Sequence, residues 1–224
     1  MVDLNADLGE GFDMDDELLA LVTSANVACG FHAGDAETMQ AVCATAAKRG
    51  VTVGAHVGYR DRDGFGRREL GVGAQTIGAE TGEQIRALQE HGFVAYVKPH
   101  GALYTRASRD AECAAEIVSA TVECGVRAML AFPGSELERA AAEAGLDAVA
   151  EGYADRGYGD DGFLLPRSEP GALLEADDAA RQAVRLAESV RSLCIHGDSP
   201  GAVELAGRVV DALRAAGIEL RPFA

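Results

Sequence analysis

Six residues of this chain could do most of its chemistry: Asp7, His32, His56, Lys98, His100 and His196. Four of the chain's five histidines are among them. Imidazoles change charge near neutral pH, so with a carboxylate they can move protons to and from water. Asp7 with His32 and His56 would equally offer nitrogen and oxygen ligands to a divalent metal. No HExxH or comparable local spacing decides between acid/base chemistry and a metal, so both stay open. Lys98, followed by Pro99 and His100, ends an apolar run. A lysine there is partly desolvated and suited to stabilising charge on a reacting oxygen. The fifth histidine, His91, closes a predicted helix, where the helix dipole already accounts for it.

A second feature is the loop from Gly58 to Arg68, which carries Arg60, Arg62, Arg67 and Arg68 in an otherwise acidic chain. Arg67 or Arg68 would clamp a carboxylate or phosphate through paired N–H donors. Glycines crowd the same segments. Gly30, Gly34, Gly54, Gly66, Gly101 and Gly197 would let a ligand approach the backbone closely.

These residues recur at one kind of place, the end of a short apolar segment. Strands are predicted over residues 2–8, 24–29, 51–56, 93–100, 127–133, 147–153 and 193–196, with a short final strand over 218–220. Helices are predicted over 15–22, from Asp35 as N-cap to Arg49, over 79–91, from Ser108 as cap to Gly125, from Ser135 to Gly145, over 176–190, and from Ser199–Pro200 to Gly217. Gly50 and Gly92 are placed to stop two of them. Seven strand–helix units with helical crossovers imply a parallel sheet, either closed as a barrel or open and doubly wound. Nothing like GxGxxG follows strand one, which argues against a dinucleotide site. In a barrel the carboxyl ends of the strands meet at one mouth, where barrel active sites are built. The 224 residues show no internal composition break and are read as one α/β domain spanning 1–224.

Trp is absent and aromatics make up 5% of the chain, so its core is expected from Ala, Val, Leu and Ile. The five cysteines are scattered without a CxxC pair and read as small buried residues in a reducing cytoplasm. No apolar run reaches membrane-span length. The net charge of −16 disfavours nucleic acid and anionic membranes as partners. Only Lys48 and Lys98 are lysines against eighteen arginines, a surface suited to high salt. Charge self-repulsion is screened within about 3 Å at about 1 M salt but reaches about 30 Å at about 0.01 M. The melting temperature is therefore expected to be several degrees lower in dilute buffer than in molar salt, and equal values would contradict this.

The motifs themselves resemble the LamB/YcsF family. The matching stretches are DLNADLGE (3–10), TSANVACGFHAGD (23–35), GAH (54–56), GFGRR (64–68), KPHGALY (98–104), Asp155-Arg156 with Tyr158, and CIHGD (194–198). They run in family order along nearly the whole chain. The resemblance implies a (β/α)7 distorted TIM-like barrel of the glycoside hydrolase/deacetylase type. It implies cleavage of 5-oxo-L-proline to L-glutamate coupled to ATP hydrolysis, with partner 5-oxoprolinase subunits B and C; self-association stays open. Lactam hydrolysis needs activation, and phosphorylation of the lactam oxygen would supply it. The chain has no GxxxxGK[ST] loop, so ATP is expected to be shared with, or supplied by, the partners.

On this reading Asp7, His32 and His56 act on water, as acid/base groups or metal ligands. Lys98 and His100 stabilise the oxyanion, and Arg67 or Arg68 takes the substrate carboxylate. His196 and Asp198 complete the polar wall, with Asp198 as the expected partner of His196. The remaining polar residues of the motifs, Asn5, Glu10, Asn26, Asp35, Tyr104, Asp155 and Arg156, are expected to contact substrate. The Phe12-Asp13-Met14 segment and the region 175–193 are shorter than the family pattern. Two rival readings are a stand-alone metal-dependent amide hydrolase or deacetylase, which would turn over without ATP, and a non-catalytic binding protein on the same fold.

Overall fold

In the first strand, β1 (Asp3–Leu8), Leu4, Ala6 and Leu8 alternate with Asp3, Asn5 and Asp7, and all six are buried. Successive strand residues face opposite sides. The apolar set joins the main hydrophobic core beneath the helices. The polar set points into the space that the sheet encloses.

The computed structural model describes residues 1–198 and 201–224. After β1 come α1 (Asp15–Leu19), β2 (Ser24–Ala28), α2 (Ala36–Arg49), β3 (Thr52–Val57), α3 (Ala74–Gln89), β4 (Tyr96–Pro99), α4 (Gly101–Ala107) and α5 (Ala111–Glu123). Then follow β5 (Ala128–Ala131), α6 (Glu136–Glu143), β6 (Asp147–Tyr153), α7 (Ala176–Leu186), β7 (Ser192–Ile195) and α8 (Ala202–Ala215). The seven strands are parallel and close in chain order, with Asp3 opposite Ser192 and Asn5 opposite Cys194 where β1 meets β7. The sheet is thus a closed barrel rather than an open one. Among the described residues no helix is long and apolar enough to cross a membrane.

The barrel interior is a polar network, unlike the Val, Ile and Leu layers usual in such folds. Asp3 accepts from the hydroxyls of Ser24 (2.7 Å) and Thr23 (2.6 Å). Asn5 donates to Ser192 Oγ (2.7 Å) and Glu151 Oε1 (3.1 Å). Asn26 donates to Asn5 Oδ1 (2.6 Å) and Asp7 Oδ1 (2.8 Å), and Tyr96 O–H donates to Asn26 Oδ1 (2.7 Å). A satisfied network like this fixes one arrangement of the strands, because a missing partner would strand a buried polar group. Tyr96 fits inside because its neighbour in register is Gly54: a Cβ there would sit 2.2 Å from the tyrosine ring.

The expected aliphatic core therefore lies outside the sheet, between strands and helices.

Several helix boundaries differ from expectation. Asp35 does cap α2, accepting from Thr38 N–H at 2.8 Å, and Gly50 ends it in the left-handed conformation. The third helix starts at Ala74, not 79, because Gly78 and Gly82 are helical; at Gly78 a Cβ would meet Glu116 of α5 at 2.8–3.2 Å, so glycine allows the close packing of α3 on α5. The helix expected from Ser108 begins later, at Ala111, and a separate helix, α4, precedes Ser108. Asp110, accepting from the N–H groups of Glu112 and Cys113, caps α5. Ser108 instead ends α4 and donates to the Tyr104 carbonyl at 2.7 Å. The final short strand reduces to one bridge between Val2 and Leu220. The expected start of the last helix at Ser199–Pro200 lies outside the described residues.

Candidate active site

The strand ends do converge. Lys98, on β4, is 1% exposed and sits at the centre. Its Nζ lies 3.1 Å from Asp7 Oδ1, 3.0 Å from Glu151 Oε1, 3.3 Å from Asn5 Oδ1 and 2.9 Å from Cys194 Sγ. Burial alone would strip its proton, but Asp7, Cys194 and Glu151 outweigh that and hold the ammonium well above the usual lysine range. Asp7 is the mirror case. Burial disfavours its charge, yet His56 and Lys98 hold its carboxyl well below the ordinary value. The floor thus carries a fixed ammonium against fixed carboxylate.

Above this pair lies a cluster of imidazoles. His56 Nδ1 donates to the Lys98 carbonyl (3.1 Å), and its Nε2 lies 3.3 Å from Asp7 Oδ2. His100 Nε2 donates to the Phe65 carbonyl (2.8 Å), while its Nδ1 faces His56 Nε2 at 3.0 Å. His32 stacks on His100 with ring centroids 3.9 Å apart and planes 3° from parallel, and reaches Glu10 Oε1 at 3.2 Å. Phe65 offers its carbonyl from a strained backbone (φ 54°), and the following residue must be glycine: a Cβ on Gly66 would lie 2.8 Å from both His100 and His32.

A third group is a dyad. His196 Nδ1 donates to Asp155 Oδ2 at 2.8 Å, and the same carboxylate accepts the His196 backbone N–H at 2.9 Å. Burial works against the Asp155 charge, but His196 outweighs it and keeps the carboxyl below its usual value. With Nδ1 committed to Asp155, His196 Nε2 is bare; it lies 3.8 Å from Asp7 Oδ2. An imidazole fixed by a carboxylate with one free nitrogen is the arrangement of a general base.

Of these groups Asp7, His56, Lys98, His100 and His196 line a cleft of about 790 Å³, together with Arg67, Arg156 and Arg167 and with Tyr104, Phe132, Tyr153 and Phe163. Arg67 and Arg167 both pair with Asp198. Arg156 donates to the carbonyls of Ala172 (2.9 Å) and Leu165 (2.6 Å), tying down the segment after β6.

Not every expected residue takes its expected place. Arg68 turns to Asp61 on the outside of the loop, leaving Arg67 as that loop's cleft-lining arginine. Asp35 is an exposed helix cap, its oxygen used by α2 itself. Asp198 is not the partner of His196; Asp155 is, because the His196 ring turns toward β6. Asn5 and Asn26 lie beneath the cleft in the barrel network, and Tyr104 donates to Glu151 Oε2 at 3.0 Å. The expected metal set of Asp7, His32 and His56 divides between two groups whose donor atoms come within 4.8 Å of one another: Glu10, His32, His56 and His100; and Asp7, Cys194 and His196.

Sequence reasoning missed Glu151 and Arg167. Glu151 had a signal, a carboxylate near the end of an otherwise apolar strand. Arg167 lay in a long loop with no pattern around it. Cys194 reads in sequence as a plain buried thiol, yet it contacts Lys98.

Comparison with known proteins adds an independent line. Residues 2–224 match the model of the LamB/YcsF family. The protein from Streptomyces griseus named as the 5-oxoprolinase A-subunit is 50% identical over 250 aligned positions, covering 100% of both chains. A protein of the same name from Streptomyces coelicolor is 47% identical with the same coverage. The alignment is longer than this 224-residue chain, so it contains positions that only the relative fills. The crystal structure of a lactam utilization protein from Thermus thermophilus superposes with a TM-score of 0.90 at 39% identity, covering 99% of each chain. A family 4 carbohydrate esterase from Streptomyces lividans shares the fold alone, with a TM-score of 0.59 at 12% identity over 100% of this chain and 92% of the esterase.

Proposed function

The chain belongs to the LamB/YcsF family, and from that premise we propose that it is the A-subunit of a cytoplasmic ATP-dependent 5-oxoprolinase, a hydrolase of a cyclic amide. In this reading it opens 5-oxo-L-proline to L-glutamate together with partner subunits B and C. The observation that carries it is the cleft: arginines line its wall and a buried ammonium its floor, in a chain of net charge −16. Such a cleft favours a small anion, and the substrate and its phosphorylated form are both anionic.

The chemistry follows from the groups present. The lactam oxygen attacks the γ-phosphorus of ATP, ADP leaves, and the ring carries a phosphorylated imidate. His196, held by Asp155, removes a proton from water as the water oxygen bonds to the ring carbon. The ring nitrogen takes up a proton as the C–N bond breaks, which leaves the γ-acyl phosphate of glutamate. A second water attacks its carbonyl carbon, Lys98 stabilises the negative charge that develops on the carbonyl oxygen, and inorganic phosphate leaves to give L-glutamate. Arg67, Arg156 or Arg167 holds the substrate carboxylate, which Arg68 is too far outside to do. Asp7 orders Lys98 and His56.

ATP is assigned to the partners because this chain carries no phosphate-cradling P-loop. The isolated chain is therefore expected to release no glutamate from 5-oxoproline and ATP. Full ATP-dependent turnover by the chain alone would overturn the division of labour.

A further inference from the structure

We infer that Glu10, His32, His56 and His100 form a binding site for a divalent transition metal of the zinc type at the floor of the cleft. The first argument is one of protons. A backbone carbonyl can only accept, so the bonds to the Lys98 and Phe65 carbonyls place a hydrogen on His56 Nδ1 and on His100 Nε2. In the neutral rings His56 Nε2 and His100 Nδ1 are then both bare, and they face each other at 3.0 Å. Two lone pairs at that distance repel unless a cation lies between them. Carbonyls that fix the tautomers of two imidazoles so that their lone pairs converge are the usual outer shell of a metal site.

The second argument is spacing. Glu10 Oε1 lies 3.2 Å from His32 Nε2, 3.4 Å from His100 Nδ1 and 3.8 Å from His56 Nε2. Tetrahedral ligands on bonds of about 2.0–2.1 Å are separated by about 3.3–3.4 Å, so the observed spacings bracket what such an ion requires. The third is charge. Asp7 and Glu151 share the one ammonium, Lys98, while the buried Glu10 pairs among the described residues only with imidazoles, so a divalent cation would bring the three carboxylates and Lys98 to balance. Three imidazoles with one carboxylate suit zinc, cobalt or nickel better than magnesium or calcium. His56 and His100 also line the cleft, so a bound ion could act as a Lewis acid toward a ligand oxygen there.

The test needs neither partners nor substrate, so its outcome is separate from that of the proposed activity. The full chain, stripped with a chelator, is titrated with Zn²⁺ by calorimetry and with Co²⁺ by visible absorption. One ion per chain is expected, with a dissociation constant of about 1 μM or below. His100→Ala and His56→Ala should each weaken binding about a hundredfold or more, and Glu10→Gln, which keeps the side chain's shape, about tenfold or more. His91→Ala, on the distant helix end, should bind as wild type. Circular dichroism identifies variants that fail to fold, and for those the Glu10→Gln result stands in. Binding weaker than about 100 μM in the folded wild-type chain would overturn the inference, leaving a proton shared between His56 and His100. So would wild-type affinity in Glu10→Gln and in any histidine variant that folds.

Discussion

Lys98→Met is expected to lower two things at once, stability and turnover. The ammonium is wholly buried between Asp7 and Glu151. Removing one partner of a buried ion pair leaves charge without compensation and costs about 3–5 kcal/mol. That is a large share of the roughly 5–15 kcal/mol by which a domain is stable, so urea midpoints should fall markedly. Turnover in the reconstituted complex should fall about 10²–10³-fold, the usual loss when a group aimed at a developing oxyanion is removed. The two effects are separable. Lys98→Met with Glu151→Gln removes one of the stranded carboxylates and should recover part of the stability, with no recovery of turnover. A double variant that regained activity would show that Lys98 matters only for folding. A single variant as stable and active as wild type would contradict the geometry of the floor.

The second large effect is expected at the dyad. Asp155→Asn keeps size and shape but offers His196 Nδ1 a neutral partner that no longer stabilises the imidazolium. If His196 takes the proton from water, turnover should drop about 10²–10⁴-fold. The Michaelis constant for 5-oxoproline should move little, since neither residue is assigned to the substrate carboxylate. His196→Gln should lose a similar amount, and combining the two should add little more, because residues that act as one unit are not additive. Multiplying losses in the double variant, or a main effect on the Michaelis constant, would remove the dyad from the chemistry.

Much of this arrangement was legible in the sequence, for a physical reason. A strand that runs apolar for several residues and then ends in Lys-Pro-His or Ala-His places costly polar groups where only a site repays them, so the mouth could be located from pattern alone. The polar interior was harder to read. Asp3, Asn5 and Asp7 alternate with Leu4, Ala6 and Leu8, yet alternation in a βα-barrel strand does not tell whether the inward face is a site or a hydrogen-bonded filling. Asp3 and Asn5 proved to be filling; Asp7 reaches the site. Partner assignments were the least legible. His196 lies two residues from Asp198 but pairs with Asp155, forty-one positions away, because β6 and β7 are neighbours in the barrel. The same holds for the acid in the histidine cluster, which is Glu10 rather than Asp7 alone. Arg67 and Arg68 are adjacent in sequence and opposite in direction, a distinction set by the turn at Phe65–Gly66 rather than by residue type.

The central claim is that the lactam is opened in this chain's cleft with ATP as the driving reagent. It is tested most directly by counting glutamate released from labelled 5-oxo-L-proline by this chain reconstituted with subunits B and C, with and without ATP. Glutamate formed only when all three chains and ATP are present, and lost when the first chain carries Asp155→Asn, is the predicted result. Glutamate formed at an undiminished rate with Asp155→Asn and with Lys98→Met, or formed without ATP, would contradict it.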